Sequence, residues 1–404
     1  MHILLVIALL DTAGFGIIIP IFLYYALHLG ATPEMATMFF SIYPIAFMLS
    51  SPILGRLSDQ LGRKPVMLCC LFMASVGYLV LGVTESLLWL AMSRFIQGAA
   101  AGNLAVVQAY VSDITDNESR AKSMGKIGAA TGLGFVIGPA FGAWLGGGSF
   151  ENNSLELAAF VSAGLSFMAF LVMLFFLPES LSAEQRATFK KAAVSVKKFS
   201  INPFAAVPKA MRTPVLREYL LCALLFNIAS AFAEVILPLW LKDGKLIDGP
   251  RGLMVIFLTA GLVLTFVQAR LIGVMVRRVG ELRMFQLGIA GFALALLLLT
   301  VAGNLQSFPM VVLVWCLSGA SMAFFFTGNQ SLISQCAADH ERGTVLGAAS
   351  AVGTLGRIVG PSLTGFLYAN VSMNAPFYAG AVLLIGGFFI ASRAQRASAS
   401  LSER

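Results

Sequence analysis

Twelve long apolar runs separated by short polar turns limit this chain to very few folds. They cover residues 3–29, 35–57, 65–84, 87–112, 121–147, 156–178, 216–241, 252–276, 282–303, 308–335, 343–369 and 374–392. A helix needs about 20 predominantly apolar residues to cross a bilayer. The runs therefore predict an all-α integral membrane protein with twelve transmembrane helices. Only 11% of the 404 residues are charged, against about 25% in a soluble domain. So little charge cannot cover a soluble surface of this size. Pro20, Pro44, Pro139, Pro238 and Pro361 lie inside runs, where neighbouring helices can satisfy the backbone groups they free.

The net charge of +8 reflects membrane topology and does not call for nucleic acid. Lys242, Lys245 and Arg251 lie on one side of the runs, Arg94 and Arg357 lie inside them, and every other Lys and Arg lies on the opposite side. Basic residues mark the cytoplasmic side. Both termini are thus expected in the cytoplasm, and the chain in the inner (cytoplasmic) membrane. The first run has no basic leader and is interrupted by Asp11 and Gly14, so no cleaved signal peptide is expected. Residues 179–213 hold Arg186, Lys190, Lys191, Lys197, Lys198, Lys209 and Arg212. This stretch reads as a cytoplasmic basic linker, either plain or formed as an amphipathic helix on anionic lipid. It separates two six-helix bundles, 1–178 and 214–404. The five cysteines have no metal-ligand spacing and read as packing residues.

The bundles repeat one another. A shift of 218 residues superposes Pro20 on Pro238, Gly55 on Gly273 and Gly62 on Gly280. A shift of 222 superposes Arg120 on Arg342, Gly125 on Gly347, Gly134 on Gly356, and Gly138-Pro139 on Gly360-Pro361. Two pseudo-symmetric halves related by an axis along the membrane normal imply a transporter, with its substrate site between them and alternating access by rocking.

One turn carries unusual chemistry. Gly55-Arg56-Leu57-Ser58-Asp59-Gln60-Leu61-Gly62-Arg63-Lys64-Pro65 packs an acid, three bases and two glycines between apolar runs. It resembles the G-x-L-S-D-x-x-G-R-[KR]-P signature of the major facilitator superfamily. The resemblance implies a conformational latch made by Gly55, Asp59, Gly62, Arg63 and Lys64. Gly55 is expected to let another helix pass closely. Asp59 is expected to face the N-terminus of the eleventh span near Arg342, whose dipole favours an anion. Arg56, Arg63 and Lys64 are expected to join Asp113, Asp116 and Glu118 in a charge lattice. The second-half copy, 273–283, has Arg277 where Asp59 maps, and should latch weakly or not at all.

Three further stretches extend the likeness. Arg94-Phe95-Ile96-Gln97-Gly98 resembles the family's R-x-x-x-G element. The fifth span places Gly134, Gly138, Gly142 and Gly146 four apart on one face, with Pro139 beside them, and resembles the g-x-x-x-G-P-x-x-G element of the antiporter branches. Small faces bring helices together in lipid. Leu9 to Pro20 is similar to the first span of the tetracycline/H⁺ efflux antiporters and related twelve-span drug exporters. Those antiporters carry an acid in the third span where Gly77 stands here, which argues against tetracycline as the cargo.

Charge inside a membrane span is costly and usually functional. Asp11 and Arg94 are expected to approach each other, directly or through water, and to carry proton coupling; Glu234 is the other candidate proton carrier. Arg357 replaces Phe135 of the first-half copy. It either neutralises Glu234 or receives a carboxylate-bearing cargo. Tyr43, Gln108, Asn227, Glu234, Gln268, Phe325, Asn329, Gln330 and Arg357 are the candidate substrate-binding residues. The expected function is proton-coupled efflux of small amphipathic molecules, as in multidrug or antibiotic resistance. Export of a carboxylate metabolite such as a siderophore, and import on the same scaffold, are the alternatives. A non-transporting receptor would need neither Asp11 nor the latch. No nucleophile–base pair or metal cluster points to an enzyme. The expected partners are the cargo, protons and lipid, with no cofactor beyond the proton, and the chain is expected to act as a monomer.

Overall fold

A computed structural model of the chain describes residues 1–150, 155–182, 184–186, 204–337 and 342–402. Their regular structure is helical. In chain order the elements are α1 (His2–His28), α2 (Pro33–Leu61), α3 (Arg63–Val83), α4 (Leu87–Ala101), α5 (Asn103–Asp113), α6 (Asn117–Leu145) and α7 (Leu155–Phe176). A single turn, α8 (Val207–Ala210), precedes α9 (Pro214–Asp243). Then follow α10 (Arg251–Phe266), a π-helical turn (Val267–Leu271), α11 (Ile272–Val279), α12 (Glu281–Asn304), α13 (Phe308–Gln335), α14 (Arg342–Asn370) and α15 (Ala375–Ser402). Helices dominate because a backbone in lipid must satisfy its own polar groups.

Among the described residues ten helices are long and apolar enough to cross a membrane. The other two expected spans are helical as well. Residues 87–112 are divided at Gly102 into α4 and α5. Residues 343–369 fall within α14, whose apolar character is diluted by glycines and Arg357. Large apolar side chains such as Phe176, Leu313 and Val382 point outward, as a surface facing hydrocarbon requires. The expected basic linker falls mostly outside the described residues, Lys190, Lys191, Lys197 and Lys198 included.

The chain forms two compact units. The first comprises Met1–Ala31, Ile42–Ile201 and Gly249–Met254; the second comprises Thr32–Ser41, Asn202–Asp248 and Val255–Arg404. In the first, α1 packs on α6 and α7, and α3 packs on α7 and α4. The opening of α10 belongs here too, with Pro250 against Gly146 and the Arg251 N–H donating to the Gly147 carbonyl at 3.0 Å. In the second, α9 packs on α14 and α15, and α12 packs on α13 and α15. The start of α2 belongs to this unit. Ser41 donates to the Ile358 carbonyl at 2.6 Å, and Asn370 donates to Glu34 at 3.2 Å.

The internal repeat is visible in the backbone. Gly62 precedes α3 with φ +108°, and its counterpart Gly280 precedes α12 with φ +81°. Glycine adopts such angles without a Cβ penalty. Gly134 and Gly138 of α6 pack on α1, while their counterparts Gly356 and Gly360 of α14 pack on α9.

Candidate functional site

The charged turn is built around Arg63, whose side chain is buried although it is ionic. Its Nη1 contacts Asp59 Oδ1 at 2.6 Å and donates to Ser58 Oγ at 2.7 Å. Its Nε donates to Asp113 Oδ2 at 3.0 Å. Ser180 also donates to Asp113, at 2.9 Å. Buried charges survive when paired and hydrogen-bonded, and Arg63 meets both conditions. Of the acids expected around it, Asp113 joins the lattice. Among the described residues Asp116 makes no ion pair, and the Glu118 side chain lies outside them. Lys64 Nζ turns instead to the Leu174 carbonyl, at 2.9 Å.

Glu179, the first residue of the expected linker, completes this turn. Its carboxylate accepts the backbone N–H groups of Arg63, Lys64, Ser180 and Leu181 at 2.9–3.1 Å. Two of these are orphan donors at the start of α3, where an anion is favoured. Gly62 leaves the room: a Cβ there would lie 3.0 Å from the Glu179 carboxyl carbon. The Pro178-Glu179-Ser180 step after an apolar run was the available signal. A Cβ built on Gly55 meets open space, whereas one on Gly62, at the other end of the motif, is crowded. In the second-half copy Arg277 is exposed and makes no ion pair among the described residues.

The glycine face of α6 brings this helix onto α1. A Cβ on Gly134 would lie 2.8 Å from Thr12 Cβ, one on Gly138 would lie 2.7 Å from the Ala13 carbonyl, and one on Gly142 would overlap the Ile17 carbonyl. Pro139 closes against Gly16 in the same seam. Asp11 thus belongs to a helix locked to its neighbour one residue further on. Gly77 has a similar duty, lying against Gln97, whose Cγ would be 2.9 Å from a Cβ there. A side chain at this position would press on Gln97 and Ile96 of α4.

Arg94 is 4% exposed and lies over the Phe22 ring, 4.2 Å from its centroid. Its Nε and Nη2 have no hydrogen-bond partner among the described residues, nor do the amide atoms of Gln97, one turn on. The direct Asp11–Arg94 pair is not formed: no contact within 4.0 Å joins them. Cation–π contact with Phe22 holds the guanidinium instead. Tyr78, buried on α3, lies within the electrostatic reach of Asp11, Tyr43 and Arg94 together. Tyr43 packs against Phe15 with the rings tilted and centroids 4.6 Å apart, and Phe15 meets Phe135 edge-on.

In the second unit Arg357 of α14 donates through Nε to Asn227 Oδ1 at 3.2 Å. Asn227 is fixed in turn, donating to the Ala223 carbonyl at 2.8 Å and sitting under Gly353 and Gly356. Glu234 lies two turns along α9 in the field of Arg357, with no ion pair within 4.0 Å. Gln108 and Gln330 are exposed, as is Gln268 within the π-helical turn, a device common at functional sites. Asn329 is buried with Oδ1 unpartnered among the described residues. Phe325 is not a lining residue. It is fully buried and stacked 3.6 Å from Phe226, with Phe285 on its flank; aromatic packing claims its whole surface.

A family model described as Major Facilitator Superfamily matches residues 4–272 and, in a second overlapping match, 252–403. The chain belongs to the Major Facilitator Superfamily. It is thus a multi-pass membrane transporter of the all-α fold, in a family of carriers and not of enzymes. The chain is 28% identical over 380 residues to "Multidrug resistance protein 2" of Bacillus subtilis (strain 168), covering 92% of this chain and 90% of that protein. It is 29% identical over 366 residues to "Tetracycline resistance protein, class C" of Escherichia coli, covering 89% and 87%. Among solved structures, that of the human organic anion transporter MFSD10 (TETRAN) matches with a TM-score of 0.67 and 24% identity, covering 96% of this chain and 98% of that one.

Proposed function

We propose that this superfamily member is a proton-coupled exporter of small amphipathic organic molecules. It works as a monomer by alternating access in the inner membrane, with both termini cytoplasmic and no cofactor beyond the coupling proton. The observation that carries this reading is a carboxylate and a buried guanidinium within one unit, Asp11 of α1 and Arg94 of α4, which are not ion-paired. A membrane carboxylate without a fixed partner can exchange its proton as its surroundings change. The seam of Gly134, Gly138 and Gly142 on α1 ties any movement of α6 to the helix that holds Asp11. Two relatives named for multidrug and tetracycline resistance support efflux as the direction.

Inverted membrane vesicles with an imposed inward-acid gradient test this. The intact protein should accumulate a lipophilic dye, and Asp11→Asn should lose gradient-driven accumulation while remaining folded. Full accumulation by Asp11→Asn would remove Asp11 from the mechanism, and gradient-driven movement the other way would make the protein an importer.

A further inference from the structure

The Arg357–Asn227 pair is more elaborate than charge neutralisation requires. Arg357 sits in the middle of α14, a membrane helix, and its side chain is accessible. A guanidinium there is expensive and needs a partner. Glu234 is close enough for its charge to be felt but not close enough for an ion pair. Only Nε is used, by Asn227. Both Nη nitrogens are without a partner among the described residues. Asn227 is itself rigid, held by the Ala223 carbonyl and by the two glycines packed over it. The guanidinium is therefore clamped at one edge, and its end-on pair of N–H donors is offered outward. That geometry matches a planar oxyanion bidentately.

We propose that Arg357, positioned by Asn227, is an oxyanion subsite that receives the carboxylate of an amphipathic cargo. This rests on the export reading above and names the class of molecule exported. The subsite belongs to the second unit alone, so it is separable from Asp11 and Arg94. A Lys at 357 would keep the charge but lose the fork, and an Ala at 227 would keep the fork but lose its orientation.

Binding is measured on the full chain in nanodiscs of phosphatidylcholine, which exclude anionic lipid as a competitor, with naphthalene-2-carboxylate and the uncharged naphthalene-2-carboxamide as probes. The carboxylate should bind at least about tenfold more tightly than the carboxamide, the span of a charge-assisted hydrogen bond. Arg357→Gln should abolish that preference, and Arg357→Lys and Asn227→Ala should each shrink it while the carboxamide still binds. Equal binding of the two probes to the intact protein would overturn the subsite, as would an undiminished preference in Arg357→Gln. Should Arg357→Gln fail to fold, an undiminished preference in Arg357→Lys overturns it equally. Proton-driven dye uptake in vesicles reports separately on export: if it is absent while the carboxylate preference persists, the export reading fails and the subsite stands.

Discussion

The carboxylate of Glu179 accepts the backbone N–H of Arg63 at 2.9 Å across a separation of 116 residues. One side chain thereby joins the end of α7 to the start of α3 and closes the turn that holds Asp59 and Arg63. Glu179→Ala leaves the Arg63 and Lys64 N–H groups without an acceptor, a loss of about 1–3 kcal/mol where water does not replace it. Glu179→Gln keeps an acceptor oxygen and should lose less. Thermal unfolding of the purified protein should therefore rank intact above Glu179→Gln above Glu179→Ala. An Ala variant as stable as the intact protein would show the capping to be energetically idle.

The α1–α6 seam makes a contrast within a single helix. Alanine is favoured over glycine in a helix by about 1 kcal/mol. Gly128 faces open space, so Gly128→Ala should be neutral or slightly stabilising. A Cβ on Gly142 would overlap the Ile17 carbonyl, and that backbone cannot move aside without parting the two helices. Gly142→Ala should thus lower the yield of monodisperse protein sharply on size-exclusion chromatography. Equal yields for the two variants would mean that the seam tolerates a methyl group.

Much of this was legible in the sequence because lipid leaves the backbone few choices. Long apolar runs have to be helices, the glycines at 134, 138 and 142 meet α1, and the shifts of 218 and 222 pair Gly62 with Gly280 and Gly134 with Gly356. What the sequence hid was the partner of each polar group. Glu179 reads as linker because its acceptor role is set by the start of α3, far away in the chain. Phe325 looked like a lining residue because an aromatic side chain reads the same in a core and in a cavity; only its stack on Phe226 separates the two. Gly102 gave no sign that it would divide one span into α4 and α5. It lies against Ser50 and Ser51 of α2, a tertiary contact that local pattern does not contain.

Phe325 yields a prediction that follows from its correction. Truncating a buried aromatic costs about 3–5 kcal/mol. Phe325→Ala should unfold well below the intact protein, and Phe325→Leu should recover part of the loss. Neither should change the rank order of competing cargoes in the fraction that remains folded. A change of that order with unaltered unfolding would return Phe325 to the binding surface.

Arg94 presents the opposite balance between stability and activity. Two of its guanidinium nitrogens and both amide atoms of Gln97 are buried without a hydrogen-bond partner among the described residues. Unsatisfied buried donors cost about 1–3 kcal/mol each, and replacing buried charge by an apolar side chain of similar volume is often neutral or stabilising. Cation–π contact with Phe22 offsets only part of this, since such contacts are worth about 0.5–2 kcal/mol. Arg94→Met should consequently unfold at the same temperature as the intact protein or higher. Strain of this kind is kept where activity needs it, so the same variant should lose gradient-driven dye uptake in inverted vesicles. Earlier unfolding would show that Arg94 is a structural brace. Stable protein with undiminished uptake would show that its charge has no part in transport.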